Sequence, residues 1–163
     1  MHQAYLSLGS NIQPEANLQK AIDLLSKRGA IVKVSSVWES EAVGSSGPNF
    51  LNACVLFSTQ FAYPELKDQV THPIEDLLGR KRTEDKNAPR TIDIDIILFD
   101  DQSCNDKFWN LAFVVIPLAE IHPTFQNPLT QAALSETAKQ LRQKIWMERR
   151  PGVLSKLNED RFG

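Results

Sequence analysis

Residues 89–98 read Pro-Arg-Thr-Ile-Asp-Ile-Asp-Ile-Ile-Leu, and this alternating run predicts the strand on which the rest of the fold depends. Successive side chains of a strand point to opposite faces, so the alternating isoleucines should enter a core while Asp93 and Asp95 project together on the other face. Aspartate is disfavoured in strands, and two adjacent carboxylates repel each other unless a cation lies between them. The pattern therefore leaves two readings open, a solvent-exposed sheet face or a site for Mg²⁺ bound with substrate phosphates.

The segment directly before these aspartates is basic, with five Lys or Arg side chains between positions 80 and 90. Arginine forks can bind phosphate charge as it shifts during transfer, while metal ions neutralise the bridging oxygens. An isolated basic loop is more often a solvated charge run. The adjacency to Asp93 and Asp95 favours polyphosphate transfer instead, although the chain has neither a P-loop motif nor a Gly-x-Gly-x-x-Gly motif.

Periodicity predicts the remaining elements on both sides of this strand. Strands are expected near residues 4–8, 31–37, 50–57 and 91–99, a first helix carries apolar residues at i, i+3, i+4 and i+7 from Leu18, and a last helix runs from Leu134 to Ile145. A middle helix should begin near Pro64, bury Leu77 among others, be kinked or divided by Pro73 and end at Gly79.

The order of elements is β-α-β-β-α-β with a carboxy-terminal helical extension. This is the pattern of a ferredoxin-like α+β fold, in which the helices lie on one face of the sheet. The opposite sheet face would then be available to a ligand.

Phe50 and Asn52 share a face of the third predicted strand because one residue separates them. An aromatic ring and an amide with both donors and an acceptor suit a flat heteroaromatic ligand. Taken singly, Phe50 would more often belong to a core and Asn52 to a strand edge or turn. Their common face favours a ligand only modestly.

Composition limits the classes of function. The 163 residues carry 42% hydrophobic residues, a net charge of −2 and two cysteines, and the sequence pI is about 5.9. We expect a single domain over residues 1–163, a cytoplasmic location, a monomer, and neither nucleic-acid nor membrane partners, because no global basic field, apolar span or leader pattern is visible. Cys54 and Cys104 are read as structural thiols rather than zinc ligands.

Several motifs together resemble hydroxymethyl-dihydropterin pyrophosphokinases. They appear in the family's order over about residues 4–99 and continue to residue 121, and the Pro-Arg-Thr-x-Asp-x-Asp run is the most specific of them. The matching stretches are residues 4–11, 35–36 with Gly44, 49–53, Glu75, 79–80, 89–96, Phe113 and 117–121.

The resemblance implies that the enzyme transfers pyrophosphate from ATP to a pterin alcohol with two Mg²⁺ ions. It implies Asp93 and Asp95 as metal ligands. Phe50 and Phe113 would stack on the pterin, with Asn52 and Val43 also binding it. Arg80, Arg82 and Arg90 would be the catalytic, phosphate-binding arginines, and Glu75 and Ile96 would contact the nucleotide together with Arg80 and Arg90. Residues 41–49 and 81–89 would form lids.

The chain also departs from the family pattern. Residues 100–111 contain neither the His nor the Arg that usually reach ATP, and Lys107 is their only cation. Ala42 replaces a customary proline, and Asn87 replaces an aromatic. These differences predict weaker ATP binding and ordinary pterin binding.

Two alternatives therefore stay open. One is a divergent pterin-binding paralogue with weak or altered transferase activity. The other is a ferredoxin-like module whose sheet face stacks nucleic-acid bases, which the acidic pI and the two aspartates disfavour.

Overall fold

The computed structural model describes residues 1–42, 47–80 and 90–154, and an antiparallel sheet runs through it. Neighbouring strands follow the order β6-β5-β1-β4-β3-β7, and β2 also pairs with β4. The strands are β1 (His2–Ser10), β2 (Ala30–Val34), β3 (Trp38–Ser40), β4 (Phe50–Thr59), β5 (Asp93–Phe99), β6 (Gln102–Ser103) and β7 (Met147–Arg149).

The helices in the described residues include one that is divided, as the sequence predicted. They are α1 (Pro14–Ser26), α2 (Tyr63–Leu66), α3 (His72–Leu77), α4 (Ala112–Ile121) and α5 (Leu134–Lys144). A π-helical turn, Lys67–Thr71, joins α2 to α3. Pro73 follows that turn, and because proline cannot donate the usual backbone hydrogen bond, the wider turn accommodates it. Gly79 ends the helical region with a φ of 79°.

Each face of the sheet carries its own cluster of buried side chains. Ala4, Leu6 and Leu8 of β1 pack with α1 and with Ile94 of β5 on one face. Tyr5 lies in the second cluster, which contains buried residues of α4 and α5. The alternation of β1 and β5 between core faces is therefore confirmed.

The expectation that helices lie on only one face of the sheet was wrong. Both faces are packed, because α4 and α5 cover much of the face that was predicted to be free. The end of that face near Gly9, Asn52 and Asp93 is open as a cleft.

The exposure of one helical residue, the end of α5 and the end of one strand also differ from the prediction. Leu77 is 63% exposed rather than buried, and Ile145 lies just beyond the end of α5. The strand predicted over 31–37 ends at Val34. No helix in the described ranges combines the length and apolarity needed to cross a membrane.

Candidate active site

Strand pairing brings the two sequence motifs together across β1. Gly9 pairs with Asn52 of β4 on one side and with Asp93 of β5 on the other. Ser7 likewise pairs with Asp95. A side chain at position 9 would place its Cβ 3.3 Å from Asn52 Oδ1, so glycine permits the close approach of this amide to β1.

A cleft of about 390 Å³ opens over this row of paired residues. It brings together Phe50, Asn52 and Phe113 with both aspartates, although these residues come from separate parts of the chain. We call it the first cleft. Its lining is Ser7, Gly9, Ser40, Glu41, Ala42, Phe50, Asn52, Arg80, Arg90, Asp93, Asp95, Lys107, Phe108, Leu111 and Phe113.

A second cleft, of about 300 Å³, adjoins the first. It contains Glu75 and Ile96, both predicted to contact a nucleotide. The two clefts share Arg80, Asp93, Asp95, Lys107 and Phe108. The remaining lining of the second cleft is Tyr63, Lys67, Thr71, His72, Glu75, Ile94, Ile96, Cys104 and Asn105.

A chain of ion pairs connects α3 to Asp93. Arg80 Nη1 lies 2.5 Å from Glu75 Oε2 and 2.7 Å from Asp93 Oδ1. Arg90 Nη1 donates to Asp93 Oδ2 at 3.2 Å. Glu75, only 2% exposed, also accepts a hydrogen bond of 2.9 Å from the backbone N–H of Ile94, so it fixes Arg80 against β5.

Burial and neighbouring charges perturb Asp95. Its pKa is raised from 3.8 to about 6, first by burial and then by the negative charges of Asp93 and Glu75, while Lys107 and Arg80 act in the opposite direction. A bound cation would relieve both the burial cost and the repulsion. The oxygen donors of Asp93 and Asp95 therefore fit a hard cation such as Mg²⁺.

Asp93 and Asp95 would need further ligands from outside the protein. In residues 1–42, 47–80 and 90–154, no group of three or more His, Cys, Asp or Glu side chains is arranged to hold a metal ion. Mg²⁺ commonly takes one or two carboxylates and completes its coordination with water and substrate phosphates. The two carboxylates at the shared wall of the clefts match that arrangement.

Asn52 is held in place by β3. Its Nδ2 donates to the Trp38 carbonyl at 3.2 Å and to Ser40 Oγ at 2.7 Å, and the residue is 2% exposed. These bonds fix the orientation of the amide beside the first cleft. Phe50 and Phe113 are partly buried in the wall of the same cleft.

The structure therefore brings together every predicted site residue that it describes. Val43 and Arg82 lie outside the described residues, as do most of the two predicted lids. Residues that the sequence reasoning left without a role include Phe108, Lys67 and His72, which lie on irregular turns or on the divided helix. No sequence pattern places such turns relative to a sheet.

Asn11 is a further residue without a predicted role. Its Oδ1 accepts the backbone N–H of Arg90 at 2.6 Å, and its Nδ2 donates to the Pro48 carbonyl at 3.3 Å. Asn11 thus ties together the chain on both sides of the first cleft. The Gly9-Ser10-Asn11 sequence at the end of the first predicted strand was the available signal.

Comparisons with known proteins agree on one family. The family model described as 7,8-dihydro-6-hydroxymethylpterin-pyrophosphokinase matches residues 5–123. Proteins named 2-amino-4-hydroxy-6-hydroxymethyldihydropteridine pyrophosphokinase are similar over most of their length. The one from Bacillus subtilis is 34% identical, with 90% of this chain and 91% of the relative covered. The one from Aquifex aeolicus is 35% identical, with 83% and 90% covered.

Solved structures support the same fold. The wild-type HPPK-DHPS of Plasmodium falciparum with SDX-DHP matches with a TM-score of 0.67 at 13% identity, over 88% of this chain and 44% of that one. This chain therefore spans less than half of that solved protein. From the family model and the identity with complete bacterial relatives, the chain belongs to the 7,8-dihydro-6-hydroxymethylpterin-pyrophosphokinase family.

Proposed function

We propose that this chain transfers the pyrophosphoryl group of ATP to 6-hydroxymethyl-dihydropterin in folate biosynthesis. The pterin hydroxymethyl oxygen would attack the β-phosphorus, the bond from that phosphorus to the α,β-bridging oxygen would break, and AMP would leave as the hydroxyl proton is lost. The observation that carries the proposal is the shared wall of the two clefts. Asp93 and Asp95 occupy it, between an aromatic cleft and a cleft that contains Glu75 and Ile96.

The first cleft is assigned to the pterin. Phe50 and Phe113 supply apolar ring surface for a flat heterocycle, and aromatic stacking on such rings is favourable. Asn52 supplies its Oδ1 as an acceptor, and its orientation is fixed because Nδ2 donates to Trp38 and Ser40. A pterin bound at this end of the sheet would have its alcohol near the two aspartates.

The second cleft is assigned to the nucleotide, with its phosphates directed toward the shared wall. The guanidinium groups of Arg80 and Arg90 would donate charge-assisted hydrogen bonds to phosphate oxygens there. Two Mg²⁺ ions held by Asp93 and Asp95 would supply charge neutralisation for the reacting phosphates. The work of the protein would then be to position the two substrates and exclude water.

The finer structural assignments belong to the same proposal. A ferredoxin-like connectivity is supported by the antiparallel order β5-β1-β4-β3 in the middle of the sheet. We also propose a single domain over residues 1–163 that acts as a monomer in the cytoplasm without a nucleic-acid or membrane partner. The acidic sequence pI of about 5.9 supports the absence of a nucleic-acid partner, because it gives no global basic field.

A second candidate is a pterin-binding protein with weak or altered transferase activity. The absence of His and Arg from residues 100–111 favours it, because charged hydrogen bonds to ATP would be lost. Lys107 borders both clefts and is the cation of that segment best placed to compensate.

AMP release from ATP, measured with purified full-length protein, Mg²⁺ and the pterin alcohol, tests the proposal. We expect saturable AMP formation that requires both substrates and the metal. Calorimetry with the pterin alone separates the candidates. Pterin binding without AMP release would support the second candidate, and the absence of both would overturn the assignment of the clefts.

A further inference from the structure

A groove of about 400 Å³ lies away from both clefts and shares no lining residue with them. We call it the Trp38 groove. The residues on which its chemistry depends are Trp38, Glu120, Ser135, Lys139, Arg142 and Arg149.

Helix periodicity and strand pairing bring its three cations together. Ser135, Lys139 and Arg142 occupy i, i+4 and i+7 of α5 and therefore share one helix face. Arg149 comes from β7, where it pairs with Trp38 of β3. Cations from two separate elements thus converge on the same groove.

The buried indole of Trp38 positions two of these cations. Trp38 is 1% exposed, and the Cζ atoms of Arg142 and Arg149 lie 5.0 and 4.9 Å from its ring centroid. Both distances are within the range of cation–π attraction. Two guanidinium groups are therefore held close to one ring, and a bound anion would offset their mutual repulsion.

The groove's cations lack an anionic partner in the part of the chain that the structure describes. No ion pair there joins Lys139, Arg142 or Arg149 to a carboxylate. Glu120, the acidic residue in the lining, sets one carboxylate against the three cations, and both of its oxygens already accept hydrogen bonds from other residues. Its Oε1 accepts the Trp38 indole N–H, and its Oε2 accepts the Ser36 hydroxyl at 2.8 Å.

We propose that the Trp38 groove binds an oxyanion of the phosphate class, either free or carried on a small molecule. Two arginine forks and a lysine offer many donors to a tetrahedral dianion, more than a single planar carboxylate can accept. The Ser135 hydroxyl adds a neutral donor on the same helix face. The site is independent of the proposed transfer reaction, because the groove shares no residue with the clefts.

The test is an NMR titration of the wild-type chain with inorganic phosphate, without Mg²⁺ or ATP, followed at the indole N–H of Trp38. We expect a saturable shift. Arg142→Gln and Arg149→Gln should each weaken the apparent affinity about tenfold or more, the loss of one charge-assisted contact. Arg142→Lys, which keeps the charge but loses the fork, should give an intermediate affinity.

Two control variants locate the effect. Lys144→Gln removes a cation from α5 outside the groove lining, and Lys20→Gln removes an exposed cation from α1; both should leave the Trp38 titration unchanged. A parallel titration with glycerol 3-phosphate distinguishes a free anion from a phosphoryl group on a larger molecule, since the tighter ligand identifies the source.

Three results would overturn the proposal: no saturable shift in the wild type, the same shift with chloride at equal ionic strength, or an unchanged affinity in folded Arg142→Gln. Because Arg142 is exposed on α5, that variant is expected to fold, and its amide spectrum will verify this.

Discussion

Arg80 donates a 2.7 Å hydrogen bond to Asp93, which joins a proposed phosphate ligand directly to a proposed metal ligand. Arg90 occupies the other carboxylate oxygen of Asp93 at 3.2 Å. A cation that binds Asp93 must therefore compete with two guanidinium groups for the same oxygens. Each contact to Asp93 that it displaces leaves N–H donors for a phosphate, so metal and nucleotide binding should reinforce each other.

Glu75→Gln should destabilise the protein, because Glu75 is buried and its carboxylate pairs with Arg80 and the Ile94 N–H. Hydrogen bonds to charged groups contribute about 1.5–3 kcal/mol, so a loss of that order in the free energy of unfolding is expected. Urea denaturation measures it. Glu65→Gln, at an exposed position of α2, is the matched control. If the two variants are equally stable, Glu75 has no structural role.

Asp95→Asn should abolish AMP release while preserving the fold, because it removes a proposed metal ligand. The variant should also be more stable than the wild type near neutral pH in the presence of EDTA. The pKa of Asp95 is raised to about 6 in the folded state, so its charged form costs stability as the pH rises through 6. This cost disappears when Asp95 is protonated, so the two proteins should converge near pH 4.

Thermal unfolding between pH 4 and 8 measures this difference, which should be about 2–4 °C for each kcal/mol in a chain of this size. Asp23→Asn, on the exposed side of α1, controls for a general effect of lost negative charge. Turnover of Asp95→Asn within tenfold of the wild type would contradict the metal assignment.

The strand β5 and its two aspartates were predictable because period-2 alternation is a strong local signal. The same reasoning failed for α4, whose residues are buried on almost every side and include Pro117, so no helical period is visible. Strands β3 and β7 are three residues long, too short for a pattern. These three elements cover or extend the sheet that the sequence had left open.

Within the candidate site, residues on regular strands were predictable and residues on turns were not. The alternation of side chains along a strand predicts the sheet face on which Phe50, Asn52 and Asp93 lie. Phe108 reaches the clefts from a 3₁₀ turn, Asp106–Asn110, whose position depends on packing that no local pattern encodes.

Phe50→Ala should weaken pterin binding by roughly 1–3 kcal/mol, the range found for bases stacked on aromatic side chains. ATP affinity should change little, because Phe50 lines the first cleft and not the second. Calorimetry with each ligand separates the two effects. Phe61→Ala removes a partly buried ring outside both clefts and is the control. An unchanged pterin dissociation constant in folded Phe50→Ala would show that Phe50 does not contact the pterin and only packs in the protein.

Lys107→Ala should weaken ATP binding by roughly three- to tenfold, less than a buried charged contact would cost, because Lys107 is exposed and partly screened by solvent. Lys107 borders both clefts, and it is the only cation in the segment that lacks the family's His and Arg. We also expect wild-type ATP affinity to depend strongly on Mg²⁺ and to fall steeply with salt, since exposed charges are screened over about 8–10 Å near physiological ionic strength.

ATP titrations at low and physiological salt, with and without Mg²⁺, measure both effects of Lys107. Lys20→Ala, an exposed cation on α1, should show neither. The salt dependence should be shallower in Lys107→Ala than in the wild type, because one phosphate-facing charge is gone. If Lys107→Ala binds ATP as the wild type does, and the wild type binds it as tightly as typical family members, then other residues must replace the missing His and Arg. Lys67 and His72, which line the second cleft, would be the next residues to substitute.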